Sequence, residues 1–146
     1  MSDAEAVRAL ARQARSERHN GRMAEAVALQ HGAVAMAERV GDPALLAHTL
    51  RHLADMLSDM GEALAALPWY DRALALYRDG DADPLDIANA VRGAALNFER
   101  MGAGEEARRY WADARARYAA IDARMRAATG GGNPGVEEAD AHLAAL

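Results

Sequence analysis

Apolar side chains along this chain recur at the three-to-four-residue spacing that marks one face of a helix. Leu50, Leu53, Ala54 and Leu57 form one such run, and beyond Gly61 a second continues through Ala66, Tyr70 and Ala73. The whole series returns 41 residues later as Val91, Ala94, Ala95 and Phe98, then Gly102, then Ala107, Trp111 and Ala114. A repeat is the direct reading, and its punctuation agrees. Gly21, Gly61 and Gly102 are separated by 40 and 41 residues, and Asp42-Pro43 and Asp83-Pro84 by 41. From each of these prolines to the next glycine is 18 residues, so a helix is predicted to open at a capping Asp followed by Pro and to close at a glycine that accepts left-handed angles.

Alanine adds a further register. Ala14, Ala54 and Ala95 stand seven residues before the glycines, Ala26, Ala66 and Ala107 five after, and Ala33, Ala73 and Ala114 twelve after. Small residues are needed where two helices cross closely. The predicted helices run over about 3–20, 23–40, 43–60, 63–79, 84–101, 104–128 and 134–145. Pro68 falls inside the fourth, where a kink or a late start is expected because it has no N–H for residue 64. The glycine-rich stretch 129–135 reads as the one flexible loop. The last helix gathers Val136, Ala139 and Leu143 on one side and starts a unit that is never completed, so it reads as a cap on an open end.

The spacing resembles the tetratricopeptide repeat, a helix-turn-helix unit with small residues at fixed positions and large apolar ones between. The second and third units fill that signature, whereas the first carries Gln13, Glu17 and Gln30 where large apolar residues are expected. A period of 40–41 exceeds the usual value of about 34 and resembles the kinesin-light-chain-like subgroup and small bacterial repeat proteins. The resemblance implies an all-α fold: a right-handed superhelical stack of three hairpins, over about 3–41, 42–82 and 83–128, plus a C-terminal capping helix at about 134–145. All of it would form one domain, residues 1–146.

Composition supports the class. Of 146 residues 38 are Ala, whereas Val, Ile and Thr together number only 10, too few to build a sheet. There is no Cys, which removes disulfides, thiolate metal sites and cysteine nucleophiles. All 17 basic residues are Arg. The net charge of −5 argues against nucleic acid as a partner, and neither an apolar leader nor a membrane-length apolar run is present, so a cytoplasmic protein is expected.

In stacks of this kind the first helix of each hairpin lines the concave wall. Helical spacing puts Arg8, Arg12, Arg15 and His19 there from the first unit, His48, Arg51, His52, Asp55 and Asp59 from the second, and Asn89, Arg92 and Glu99 from the third. Arg and His gathered on one wall of an acidic chain suit an anion or an acidic peptide. The competing reading is a solvated face whose only strong cation is Arg. On the sixth helix, Arg108, Arg109, Arg115, Arg117, Arg124 and Arg126 alternate with Glu105, Glu106, Asp113 and Asp122, a salt-bridged solvated surface rather than a nucleic-acid strip. Tyr70, Tyr77, Trp111 and Tyr118 read as core, with Trp69 one step off their stripe.

The expected function is therefore a protein-interaction module. It would hold a peptide or acidic ligand through Arg8, His48, Arg51, His52, Asp55, Asn89 and Arg92, with no catalytic residue and no cofactor. One alternative is a small-molecule or metal sensor, or an enzyme, around His48, His52 and Asp55, where two imidazoles lie one turn apart beside a carboxylate. Arg51, a fixed cation at that spot, weighs against a metal. Another alternative is a scaffold that pairs with itself, a homodimer through its open first repeat.

Overall fold

The first helix of each hairpin begins and ends where local chemistry supplies partners for its unbonded backbone groups. In a computed structural model, which describes residues 1–129 and 134–146 and the side chains of 1–121 and 134–146, seven helices follow one another. They are α1 (Asp3–His19), α2 (Met23–Val40), α3 (Pro43–Asp59), α4 (Ala63–Arg78), α5 (Pro84–Arg100), α6 (Gly104–Thr129) and α7 (Pro134–Ala145). Ser2 and Glu5 form a reciprocal capping box at α1. Asp42 accepts from the amides of Ala44 (3.0 Å) and Leu45 (3.3 Å) ahead of α3, and Asp83 from that of Leu85 (2.8 Å) ahead of α5.

The three repeat glycines close the first helices as expected. Gly21, Gly61 and Gly102 have φ of 79°, 87° and 74°. At each, the glycine amide bonds three residues back and the following amide five back, as in Glu62 N–H to the Leu57 carbonyl at 2.9 Å. This double closure satisfies the last carbonyls and turns the chain into the next helix. α4 starts at Ala63 despite Pro68, so the late start considered for it does not occur. The loop expected at 129–135 falls largely outside the described residues, as do the side chains of Asp122, Arg124 and Arg126.

Met1–Asp81 and Ala82–Leu146 form two compact units. In the first, α1 packs on α2, α2 on α3 and α3 on α4; in the second, α5 packs on α6 and α6 on α7. The all-helical fold is thus built of successive helix pairs. All nine register alanines are wholly buried at these crossings: Ala14, Ala26, Ala33, Ala54, Ala66, Ala73, Ala95, Ala107 and Ala114. Larger side chains fill the space between, Leu50, Leu53, Met56 and Tyr70 in the first unit and Val91, Trp111 and Tyr118 in the second. Burying one such side chain contributes about 1.5–3 kcal/mol.

The first hairpin departs from the apolar signature for reasons the structure supplies. Gln13 is exposed, and Glu17 pairs with Arg22. Gln30 is wholly buried and its Nε2 donates to the Thr49 carbonyl at 2.9 Å, which joins α2 to α3 by a hydrogen bond. α7 meets the Tyr118 ring at Gly135, where a Cβ would come within 2.6 Å of ring carbon. Among the described residues no helix is long and apolar enough to cross a membrane.

Candidate functional site

Helix spacing in α1 puts Arg8, Arg12 and Arg15 on one face, and the same spacing in α3 aligns His48 with His52. In the first unit these two faces meet over a cavity of about 190 Å³. Val7, Ala11 and Leu45 give it an apolar part, the three guanidiniums come from α1, and His48, Thr49 and His52 come from α3. Gln30 reaches it from α2. Among the described residues, no carboxylate pairs with Arg8, Arg12 or Arg15, although Arg18, one position beyond Glu17, pairs with Asp59 across α1 and α3.

The α3 side is held from behind. Asp55 accepts from the Tyr70 hydroxyl on one oxygen and from Arg51 Nη1 at 3.3 Å on the other. That pairing sets Arg51 Nη2 3.4 Å from His52 Nε2, while His48 Nε2 lies 3.1 Å from the same atom. A guanidinium only donates, so His52 presents its Nε2 lone pair and keeps its proton on Nδ1. Burial, followed by the charges of Arg51, His48, Arg15 and Arg18, pushes the His52 pKa down from 6.5 to about 3. His52 is therefore neutral at neutral pH, and the fixed cations of the cavity are guanidiniums.

The second unit treats its share of the expected wall differently. Arg92 meets both Glu138 oxygens with Nε and Nη2, the latter at 2.8 Å, and this pairing holds the Glu138 carboxyl below its usual range. Asn89 accepts from the Tyr118 hydroxyl at 2.6 Å. Glu99 takes the Trp111 indole N–H and lies 2.7 Å from His142 Nδ1, and that imidazole stacks on Trp111 at 4.2 Å. α7 thus places Glu138 and His142 on the residues that spacing had assigned to the wall.

Of the expected site residues, Arg8, His48 and His52 line one cavity, Arg51 and Asp55 stand directly behind it, and Asn89 and Arg92 are engaged within the second unit. Sequence reasoning missed Gln30 as a site residue, Tyr70 as the partner of Asp55, and Glu138 as the partner of Arg92. Gln30 had a signal, a polar residue at an apolar position of the repeat. The other two had none, because each pair spans different helices. As for a metal, no group of three or more His, Asp or Glu among the described residues is arranged to hold one; His48 and His52 face each other, and Asp55 is engaged by Tyr70 and Arg51.

Successive helix pairs with small residues at each crossing define a helical repeat protein. Residues 5–79 match the tetratricopeptide repeat, and the chain belongs to that family. Its repeats generally mediate protein–protein interactions, and the family is typically non-enzymatic. No curated protein matches the chain.

Proposed function

We propose that this protein is an interaction module that takes an acidic peptide segment on the α1–α3 face of its first unit. The observation that carries the reading is the row of Arg8, Arg12 and Arg15 beside an open cavity, with no carboxylate of the described residues spent on them. Guanidiniums bind carboxylates with two parallel hydrogen bonds, and their charge does not titrate away. His48 and the apolar part formed by Val7, Ala11 and Leu45 offer room for the stem of a bound side chain. Arg51 and Asp55 position His52 rather than meet the partner.

Fluorescence polarisation with a labelled Glu-rich peptide tests this, with a Gln-rich peptide as control. The Glu-rich peptide is expected to bind, to weaken as salt rises, and to lose about tenfold or more in affinity in the Arg8→Ala/Arg12→Ala variant. Equal binding of both peptides, or an affinity indifferent to the two substitutions, would remove the reading.

A further inference from the structure

The seat that α5 and α6 offer to α7 is specific in four places. Gly135, Glu138, Ala139 and His142 stand at i, i+3, i+4 and i+7, which is one face of a helix. Gly135 meets the Tyr118 ring so closely that a Cβ there would clash with it, at 2.6 Å. Glu138 gives both carboxylate oxygens to Arg92, with Nη2 at 2.8 Å. Ala139 is wholly buried, and His142 stacks on Trp111 with its Nδ1 2.7 Å from Glu99. A carboxylate accepts, so that nitrogen brings the proton. An occupant of the seat therefore needs, along one helical face, a residue with no side chain, a carboxylate, a small apolar residue and a flat N–H donor.

α7 meets all four needs and yet is weakly fastened. Its ion pairs, Glu138 with Arg92, Asp140 with Arg115 and His142 with Glu99, join side chains that are 27% to 52% exposed, where water screens them and each contributes little. Ala139 is its one wholly buried residue. Its 12 residues are too few for a helix that is stable alone, and Gly135 weakens the first turn further. α7 thus owes its shape to the seat. The sequence between α6 and α7 includes Gly130, Gly131 and Gly132, a composition that imposes little backbone preference on the connection. A second copy of the chain carries the same segment, with the same four residues in the same register. We infer that the α5–α6 seat also takes α7 from a second copy, so that two chains associate by exchanging this helix, each Glu138 meeting the partner's Arg92. A short tether gives the chain's own helix an effective concentration on the order of millimolar, so the native chain is closed on itself in dilute solution and exchanges as it is concentrated. The association uses the second unit and does not rest on the peptide reading of the first.

Opposite charge reversals in full chains test it. In Arg92→Glu and in Glu138→Arg, like charges face each other within the chain, whereas a mixture of the two offers a complementary pair at both seats once the helices cross over. Light scattering is expected to give monomers for each variant alone and a dimer for the mixture at the same concentration. In a Trp69→Phe background, Trp111 emission is expected to shift to the red in each variant and to return in the mixture. The double variant Arg92→Glu/Glu138→Arg restores the pair within one chain and is expected to stay monomeric at that concentration, with Trp111 sealed. A mixture that stays monomeric overturns the inference, and so does a dimer that either variant forms alone, which comes from another surface. The native chain answers without any substitution: its dimer fraction is expected to rise as the chain is concentrated toward about 1 mM, and a monomer throughout overturns the inference.

Discussion

His52 links the stability of this protein to pH in a way that can be worked out from its surroundings. Burial is the larger cause of its lowered affinity for protons, and Arg51, His48, Arg15 and Arg18 add to it, so the folded chain binds the proton only near pH 3 whereas an ordinary imidazole does so near 6.5. Between those values the unfolded chain holds more protons than the folded one. Stability therefore rises with pH across this window, is complete above about 6.5, and falls as pH drops below it. Each pH unit inside the window is worth about 1.4 kcal/mol, so moving from about pH 7.5 to about pH 5 removes about 2 kcal/mol. For a chain of this size that lowers Tm by about 4–8 °C. Glu17 and Glu138, whose carboxyls are held below the usual 4.5, lose their contribution only at lower pH, so a floor near pH 5 keeps them out of the comparison. The assay is thermal unfolding by circular dichroism at both pH values for the native sequence and His52→Gln, every other histidine being common to the two. The native chain is expected to lose about 4–8 °C more than the variant. Identical losses would refute the assignment of a neutral, proton-resisting His52.

Two packing predictions follow from neighbouring residues. Ala66 is wholly buried at a helix crossing and Ala65 beside it is exposed, so Ala66→Leu is expected to cost about 1–3 kcal/mol and Ala65→Leu less than about 0.5 kcal/mol in urea unfolding. Gly61 holds φ at 87°, and Gly61→Ala is expected to cost about 1–2 kcal/mol although the space around a new Cβ is open; an unchanged unfolding midpoint would show that the turn relaxes.

The parts of this fold that were legible in the chain are those decided within a few residues. Asp42-Pro43 and Asp83-Pro84 start helices because a carboxylate and a fixed φ act on the adjacent turn, and Gly61 ends one because its own backbone must turn left-handed. The buried alanines were legible because the period is repeated three times and because a crossing tolerates little else. The candidate site was legible by half. Periodicity placed Arg8, His48 and His52 on inward faces, and those residues do line one cavity. It could not supply azimuth between elements, and that decides who meets whom. Arg92 is engaged by Glu138, which lies 46 residues further along the chain on another helix. Asp55 takes Arg51 from its own helix, one turn away, while the Tyr70 hydroxyl on its other oxygen comes from a separate helix. Gln30 looked like a defect in the repeat until its bond to the Thr49 carbonyl explained why an amide stands there.

The stack of His142 on Trp111 has an optical consequence. The chain holds two tryptophans, and each compact unit has one. Trp69 is half-buried with its ring edge-on to His31, at 5.6 Å between centroids, whereas Trp111 is sealed from solvent beneath an imidazole supplied by α7. Their emission differs in colour and in quenching, because one indole meets water and the other lies beneath a stacked imidazole. Replacing either by Phe leaves a single fluorophore that reports on its own unit alone, and in the second unit the intensity follows the attachment of the last helix. The protein thus carries, without any added label, one light source for the half that holds the arginine-lined cavity and another for the half that is clasped shut.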